Sequence, residues 1–185
     1  MKRAQVIAIS GASGSGKSSV IKLLCAHFNC PSLLFDDFVT SRTYPKDMKN
    51  WFSEGGELAL IQAPQLERAL QHLRQQTESD YIFVEEPFGR CRPSIAPLID
   101  YVVLINTPLE LCLARVILRN IAHSTSNTVN SITQYLAQYE SHLRDIYLHV
   151  SNEVKAQSDL VIQDEPSTEA IKTEIITWLK SLSNQ

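Results

Sequence analysis

The stretch AQVIAISGASGSGKSS, residues 4–19, holds the information from which the fold can be worked out. Its first seven residues are mostly apolar, and the next nine are small, rich in glycine, and close on a lysine and two serines. A short apolar run that stops abruptly at glycines is a buried strand entering a tight turn. Residues 11–18 fit the spacing G-x-x-x-x-G-K-[ST], with Gly11, Gly16, Lys17 and Ser18 in the fixed places. Glycines let the backbone wrap closely around a polyphosphate. Successive N–H groups from Gly11, Ala12, Ser13, Gly14, Ser15, Gly16, Lys17, Ser18 and Ser19 can then point inward. Lys17 brings a positive charge to the β- and γ-phosphates, and Ser18 Oγ suits a Mg²⁺ position. The next residues, SVIKLLCAHF, form a helix whose N-terminus adds donors and a favourable dipole. A strand before the loop and a helix after it supply the context that the motif requires. ATP with Mg²⁺ is the expected ligand.

Working outward, four more apolar runs qualify as strands: SLLF (32–35), YIFVE (81–85), YVVLI (101–105) and LVIQ (160–163), beside VIAIS (6–10) itself. Each is short and almost continuously apolar, as strands covered on both faces of a parallel sheet are. Helical patterns separate them. In NTPLEL, Thr107 is placed as a cap, Pro108 at the first helical position and Glu110 three residues after the cap, opening a helix through about Arg119. Segments 64–76 and 130–150 have helical patterning. Ser167 is placed to cap a last helix with an apolar stripe of Ile171, Ile175, Trp178 and Leu182. Strands alternating with helices predict a three-layer α/β sandwich of the P-loop NTPase type, with a mostly parallel five-stranded sheet. A helical lid is expected at about residues 119–130.

The chain has 185 residues, 44% of them hydrophobic and 20% charged, which suits one domain spanning 1–185 with a full core. The net charge of −3 and the lack of a long basic run argue against a nucleic-acid partner. No apolar stretch approaches the ~20 residues needed to cross a bilayer, so no membrane partner is expected. MKRAQVIAIS fits a first strand better than a signal peptide. Cys25, Cys30, Cys91 and Cys112 form no C-x-x-C pair, and buried free thiols in a reducing cytoplasm account for them. The oligomeric state stays open, a homo-oligomer included.

Phosphoryl transfer needs more than a phosphate cup, and candidates for each further part are present. FDDF places Asp36 and Asp37 at the C-terminal end of the second strand, where ligands of parallel sheets sit. Such a carboxylate can accept a hydroxyl proton, although two aspartates in a row also suit a solvated turn or helix cap. YIFVEEPFGR brings Glu85 out beside the loop if the third strand neighbours the first, as a second metal-side group; Glu86, one further on, is expected to face water. Arg115 and Arg119, four apart in LARVILRN, share a helix face leading into the polar segment HSTSNTVNS. They suit either neutralisation of a transferring phosphoryl group or surface ion pairs.

With these parts in place, the sequence resembles the uridine kinase and phosphoribulokinase family of P-loop kinases, nicotinamide riboside kinases included. GASGSGKSS, the DDF after the second strand, IDYVVLINTPLELCLARVILRN and QYLAQYESHLRDIYLHVSNEVKAQSDLVI carry the resemblance over nearly the whole chain. It implies ATP-dependent transfer of a phosphoryl group to a hydroxyl of a nucleoside-like or other small acceptor. It also implies Asp36 as the base on the acceptor side, Lys17 and Ser18 at the ATP and Mg²⁺ positions, Glu85 as the carboxylate closing the third strand, and Arg115 and Arg119 as the arginines entering the lid.

The sequence departs from the family in three places. EEPFGR replaces the usual E-G, the lid lacks the extra basic residues, and YPKDMKNWFSEGGE replaces the acceptor region of uridine kinases. Tyr44 and Trp51 by stacking, and Arg90 and Arg92 by charge, are candidate acceptor contacts; packing and surface placement are their alternatives. Two other functions fit the same residues. A nucleotide-binding regulator or inactive relative would explain the sparse lid, and a nucleoside monophosphate kinase would use Arg90 and Arg92 for an acceptor phosphate.

Overall fold

Three central strands pair side by side because each carries a Val- or Ile-rich run buried on both faces, and a shorter, partly exposed strand joins on each edge. The computed structural model describes residues 3–122, 128–163 and 167–182. Its strands are β1 (Gln5–Ser10), β2 (Ser32–Leu33), β3 (Tyr81–Glu85), β4 (Tyr101–Asn106) and β5 (Leu160–Gln163). They lie in the order β2-β3-β1-β4-β5, and every pairing is parallel. Alternation along the strands divides the core in two. Val6, Ala8, Ile82, Val84, Val102 and Leu104 face one side, and Ile7, Ile9, Phe83, Val103 and Ile105 face the other. All eleven are buried.

Helices cover both faces, completing the three layers expected from the sequence. On the second face lie α1 (Lys17–Phe28), through Val20, Ile21 and Leu24, and the C-terminal helix Thr168–Leu182, through Ile171, Ile175 and Leu179. On the first face lie α2 (Met48–Ser53), α3 (Pro64–Gln76) and a helical arm. α4 (Leu109–Ala122) leaves β4 toward that arm, which consists of α5 (Thr128–Gln138), a π-helical turn (Tyr139–Leu143) and α6 (Arg144–Ala156). The C-terminal helix is α7. Among the described residues, no helix is long and apolar enough to cross a membrane.

Several local expectations hold. α3 spans 64–76 with its proline at the start, and Ser167 Oγ accepts from Ala170 N at 3.1 Å to cap α7. Others need correction. β2 is two residues long, because Phe35 turns into the core and pulls 35–38 into a 3₁₀ turn. Thr107 does not cap α4 with its side chain; its hydroxyl donates to Ser15 O at 3.3 Å, across the phosphate loop. The segment 130–150 belongs to a longer arm broken by the π turn. Of the cysteines only Cys112 is buried; the other three are half-buried, and all four are free. Residues 119–122 complete α4 and 128–130 open α5, while 123–127 of the expected lid lie outside the described residues.

The largest correction concerns Glu86. It does not face water: it is fully buried, and so is Arg92, which donates Nη2 to Glu86 Oε2 at 2.7 Å and Nε to Oε1 at 3.1 Å. Strand alternation explains it, since Glu86 falls on the covered face opposite Glu85. Burial pushes the Glu86 carboxyl above its ordinary range, and the bonds from Arg92 oppose that. Arg92 Nη1 also reaches Ile61 O at 3.3 Å and Glu67 of α3 at 3.4 Å, and the guanidinium lies 5.6 Å from the centre of the Phe35 ring. Removing one partner strands a buried charge, whereas replacing both leaves an apolar contact. Arg92→Met is expected to cost ~3–5 kcal/mol of folding free energy. Glu86→Leu combined with Arg92→Met should recover most of that, as urea denaturation would show.

Candidate active site

The geometry starts from register. Ile9 pairs with Glu85, and Glu86 N donates to Ile9 O at 3.2 Å, so β3 ends level with the start of the glycine loop. β1 is also where the chain changes direction across the sheet, with β3 on one side and β4 on the other. Crevices at such points, beyond the carboxyl ends of the strands, are where ligands of parallel sheets bind.

The loop from Gly11 to Gly16 curls tightly, with Ser15 N donating to Ala12 O at 3.1 Å. Gly14 has φ +86°, and a Cβ there would stand 2.3 Å from the carbonyl oxygen of Cys112 in α4. Gly11 has φ +141°, and a Cβ there would meet Ile105 O at 2.6 Å. The motif fixes glycine at position 11 and leaves position 14 free, so only the constraint at Gly14 is missing from its spacing. The loop is thus clamped against the start of α4, with Thr107 holding Ser15 from the same side.

Lys17 and Ser18 follow at the mouth of α1. Lys17 Nζ donates to Ala12 O at 3.0 Å and lies 3.5 Å from Glu85 Oε1. Ser18 Oγ donates to Glu85 Oε2 at 2.7 Å. Burial pulls the Lys17 ammonium below its ordinary range, while the carboxylates of Glu85 and Asp36 pull the other way. Hydroxyl and carboxylate oxygens beside a phosphate cup are the hard donors that Mg²⁺ takes alongside water and phosphate oxygens. These residues fit the ion. Ser15 Oγ is buried and has no hydrogen-bond partner in the protein.

Beyond Glu85 the same cavity, about 570 Å³, continues toward Asp36. Asp36 is exposed on the 3₁₀ turn, anchored by buried Phe35. Asp36 lines the same cavity as Lys17 and Tyr44, and its carboxylate is among the influences that raise both groups. The Tyr44 phenol is pushed up to about 12, first by burial and then by the Asp36 carboxylate. Arg115 and Arg119 of α4 line the cavity too, as do Tyr44 and Trp51. Trp51 is also a packing residue, with Nε1 donating to Glu57 O at 3.1 Å.

Arg90 and Arg92 are not brought into this lining. Arg90 clasps the far side of the sheet, donating to Gln157 O at 2.9 Å, Asp100 O at 2.6 Å and Asp159 Oδ2 at 2.9 Å. Arg92 is committed to Glu86 and Glu67. Conversely, the cavity includes Leu143, Ile146, Tyr147 and Val150 of the helical arm, which sequence reasoning left out. Their spacing of three, four and seven was a readable signal of one helix face, but it pointed only to a packed stripe.

No protein-family model matches the sequence, and no curated protein does. Among solved structures, shikimate kinase from Acinetobacter baumannii in complex with shikimate is similar to this chain with a TM-score of 0.54 and 17% identity, over 100% of this chain and 96% of that one. Shikimate kinase from Aquifex aeolicus is similar with a TM-score of 0.54 and 19% identity, over 97% and 98%. At these identities the likeness shows the fold alone, a parallel five-stranded sheet covered by helices, and does not single out the uridine kinase group that the motifs resemble.

Gly14→Ala is expected to lower stability by ~1–3 kcal/mol and to weaken Mg·ATP binding about tenfold or more, because the clash is with backbone. Gly55→Ala is the control: its φ is also positive, +112°, but nothing lies within 4 Å of the added Cβ. Calorimetric titration with Mg·ATP should separate the two, Gly55→Ala retaining its affinity.

Proposed function

We propose that the chain is an ATP-dependent kinase that moves the γ-phosphoryl group of ATP to a hydroxyl of a nucleoside-like or related small acceptor. The observation that carries this is the convergence in one cavity of Asp36 with Lys17, Ser18 and Glu85, the last three in contact through Glu85. A site that only held a nucleotide would have no need of a carboxylate placed beyond the phosphate cup. The likeness in fold to shikimate kinases is in keeping with it.

The roles follow from position. The loop amides and Lys17 hold the phosphates. Asp36 takes the proton from the acceptor hydroxyl as its oxygen bonds to the γ-phosphorus, and the bond from that phosphorus to the β-γ bridging oxygen breaks, leaving ADP. Arg115 and Arg119 neutralise charge on the equatorial oxygens of a loose transition state, where catalysis is mostly positioning and electrostatics. Ser18 and Glu85 would hold Mg²⁺, which when bound neutralises charge on the β- and γ-phosphates.

Tyr44 and Trp51 form the acceptor wall in this scheme, and kinship with uridine kinases rests on the motif resemblance alone. The monophosphate-kinase alternative loses its motivation, since the two arginines it would use are tied to Asp159 and to Glu86 with Glu67.

Asp36→Asn keeps the shape and removes the base, so turnover should fall about 10²–10⁴-fold while Mg·ATP affinity stays unchanged. Acceptor-stimulated ADP release and calorimetry on the same preparation measure the two quantities, with Lys17→Ala as the blank. Near-normal turnover of the Asp36 variant would show that the base has been misassigned.

A further inference from the structure

The cavity is electrically lopsided. The cations that line it, among the described residues, are Lys17 of α1 and Arg115 and Arg119 of α4, the helix whose start packs against Gly14. The acceptor end is walled by Tyr44, Met48, Trp51, Phe88, Ile146 and Tyr147. The other cations nearby lie outside the lining. Arg90 is bound to Asp159, and Arg92 to Glu86 and Glu67. Arg42, Lys46 and Lys49, on the exposed segment around Tyr44, lie outside the lining, as does Arg144, which pairs with Asp145 at 3.5 Å. His149, half-buried, packs edge-on against Phe52, 5.7 Å between ring centres.

The field at this wall can be read from Tyr44. Burial of its phenol is the main influence there, with the carboxylates of Asp36, Glu86 and Glu85 adding to it and Arg92 opposing. A carboxylate or phosphate placed among these rings would lose its water without gaining a cation from the elements that carry them. An apolar ring would lose nothing, and would cover the indole of Trp51 and the rings of Phe88 and Tyr147.

Resting on the kinase proposal and narrowing it, we infer that the acceptor is an uncharged alcohol with an apolar or aromatic body, carrying neither carboxylate nor phosphate. The hydroxyl faces Asp36, and the body lies along the Trp51–Tyr147 wall. This sets the chain apart from the Acinetobacter protein of the same fold, whose bound shikimate is an acid.

The test compares matched pairs that share a body and differ in charge: uridine with uridine 5′-monophosphate, methyl shikimate with shikimate, and panthenol with pantothenate. Each is titrated into the full chain with Mg·ADP, and Trp51 fluorescence reports binding in a Trp178→Phe background, since Trp178 packs on Tyr101 across the sheet. The neutral member should bind at least about tenfold more tightly in any pair that binds. Val150→Lys, which puts an ammonium on the wall, should shift that preference at least about tenfold toward the acid. An acid bound as tightly as its neutral partner overturns the inference, and so does a lack of binding by all three neutral compounds at millimolar concentration. Binding is read without turnover. Selection of neutral compounds without ADP release would therefore sink the kinase proposal and leave this inference standing, and ADP release driven by acids would do the reverse.

Discussion

The contact of Ser18 and Lys17 with Glu85 is the interaction on which the site depends. It bridges two segments 67 residues apart, and neither could hold the geometry alone. The parallel pairing of β1 and β3 makes it unavoidable. With Ile9 opposite Glu85, the carboxylate is delivered beneath the first turn of α1, where a hydroxyl and an ammonium already wait. A one-residue slip would turn Glu85 to the other face and remove it. The apolar faces of both strands, buried throughout, forbid that slip, so the precision of the site derives from the hydrophobic core.

The adjacent residue uses the same alternation in the opposite sense. Glu85 points to the face of α1, and Glu86 to the face of α3 and the 3₁₀ turn. There it fixes Arg92 under Phe35, the residue that carries Asp36. Two consecutive carboxylates at the end of one strand thus serve the two ends of one cavity, one at the phosphates and one through a buried guanidinium. Such a pair adds little net stability over an apolar replacement; what it supplies is a fixed relation between the strand end and the turn.

The sequence was most legible where one physical rule governs several residues at once. Five continuous apolar runs gave five strands, and the glycine stretch between β1 and α1 gave a tight loop at the N-terminus of α1. It was less legible where tertiary contact overrides local pattern. SLLF has strand character throughout, but the burial of Phe35 bends the chain after Leu33. Thr107 sits where a cap belongs and instead bonds to the loop. For Glu86 the rule was available but not followed far enough: a strand covered on both faces leaves its next residue no water to face. Arg90 and Arg92 show the reverse limit. Charge is visible in a sequence, but the carboxylates that neutralise it, at positions 67, 86 and 159, are visible only once the chain is folded.

The helical arm shows how the two walls of the cavity are joined. A π turn inserts one residue into the helical repeat and rotates everything after it relative to everything before. Before and within the turn, Tyr135 and Tyr139 lie with ring centres 6.3 Å apart, and Tyr139 Oη reaches Leu109 O of α4 at 3.5 Å. After it, Tyr147 sits 6.2 Å from Tyr139 and faces the cavity together with Ile146 and Val150. α4 is the helix that bears Arg115 and Arg119 and whose Cys112 carbonyl crowds Gly14. A regular α-helix would have kept one face along its whole length, serving either the seam with α4 or the acceptor wall. The π turn lets one arm serve both, so the wall lined by Ile146, Tyr147 and Val150 is tied through three tyrosines to the helix that packs on the glycine loop.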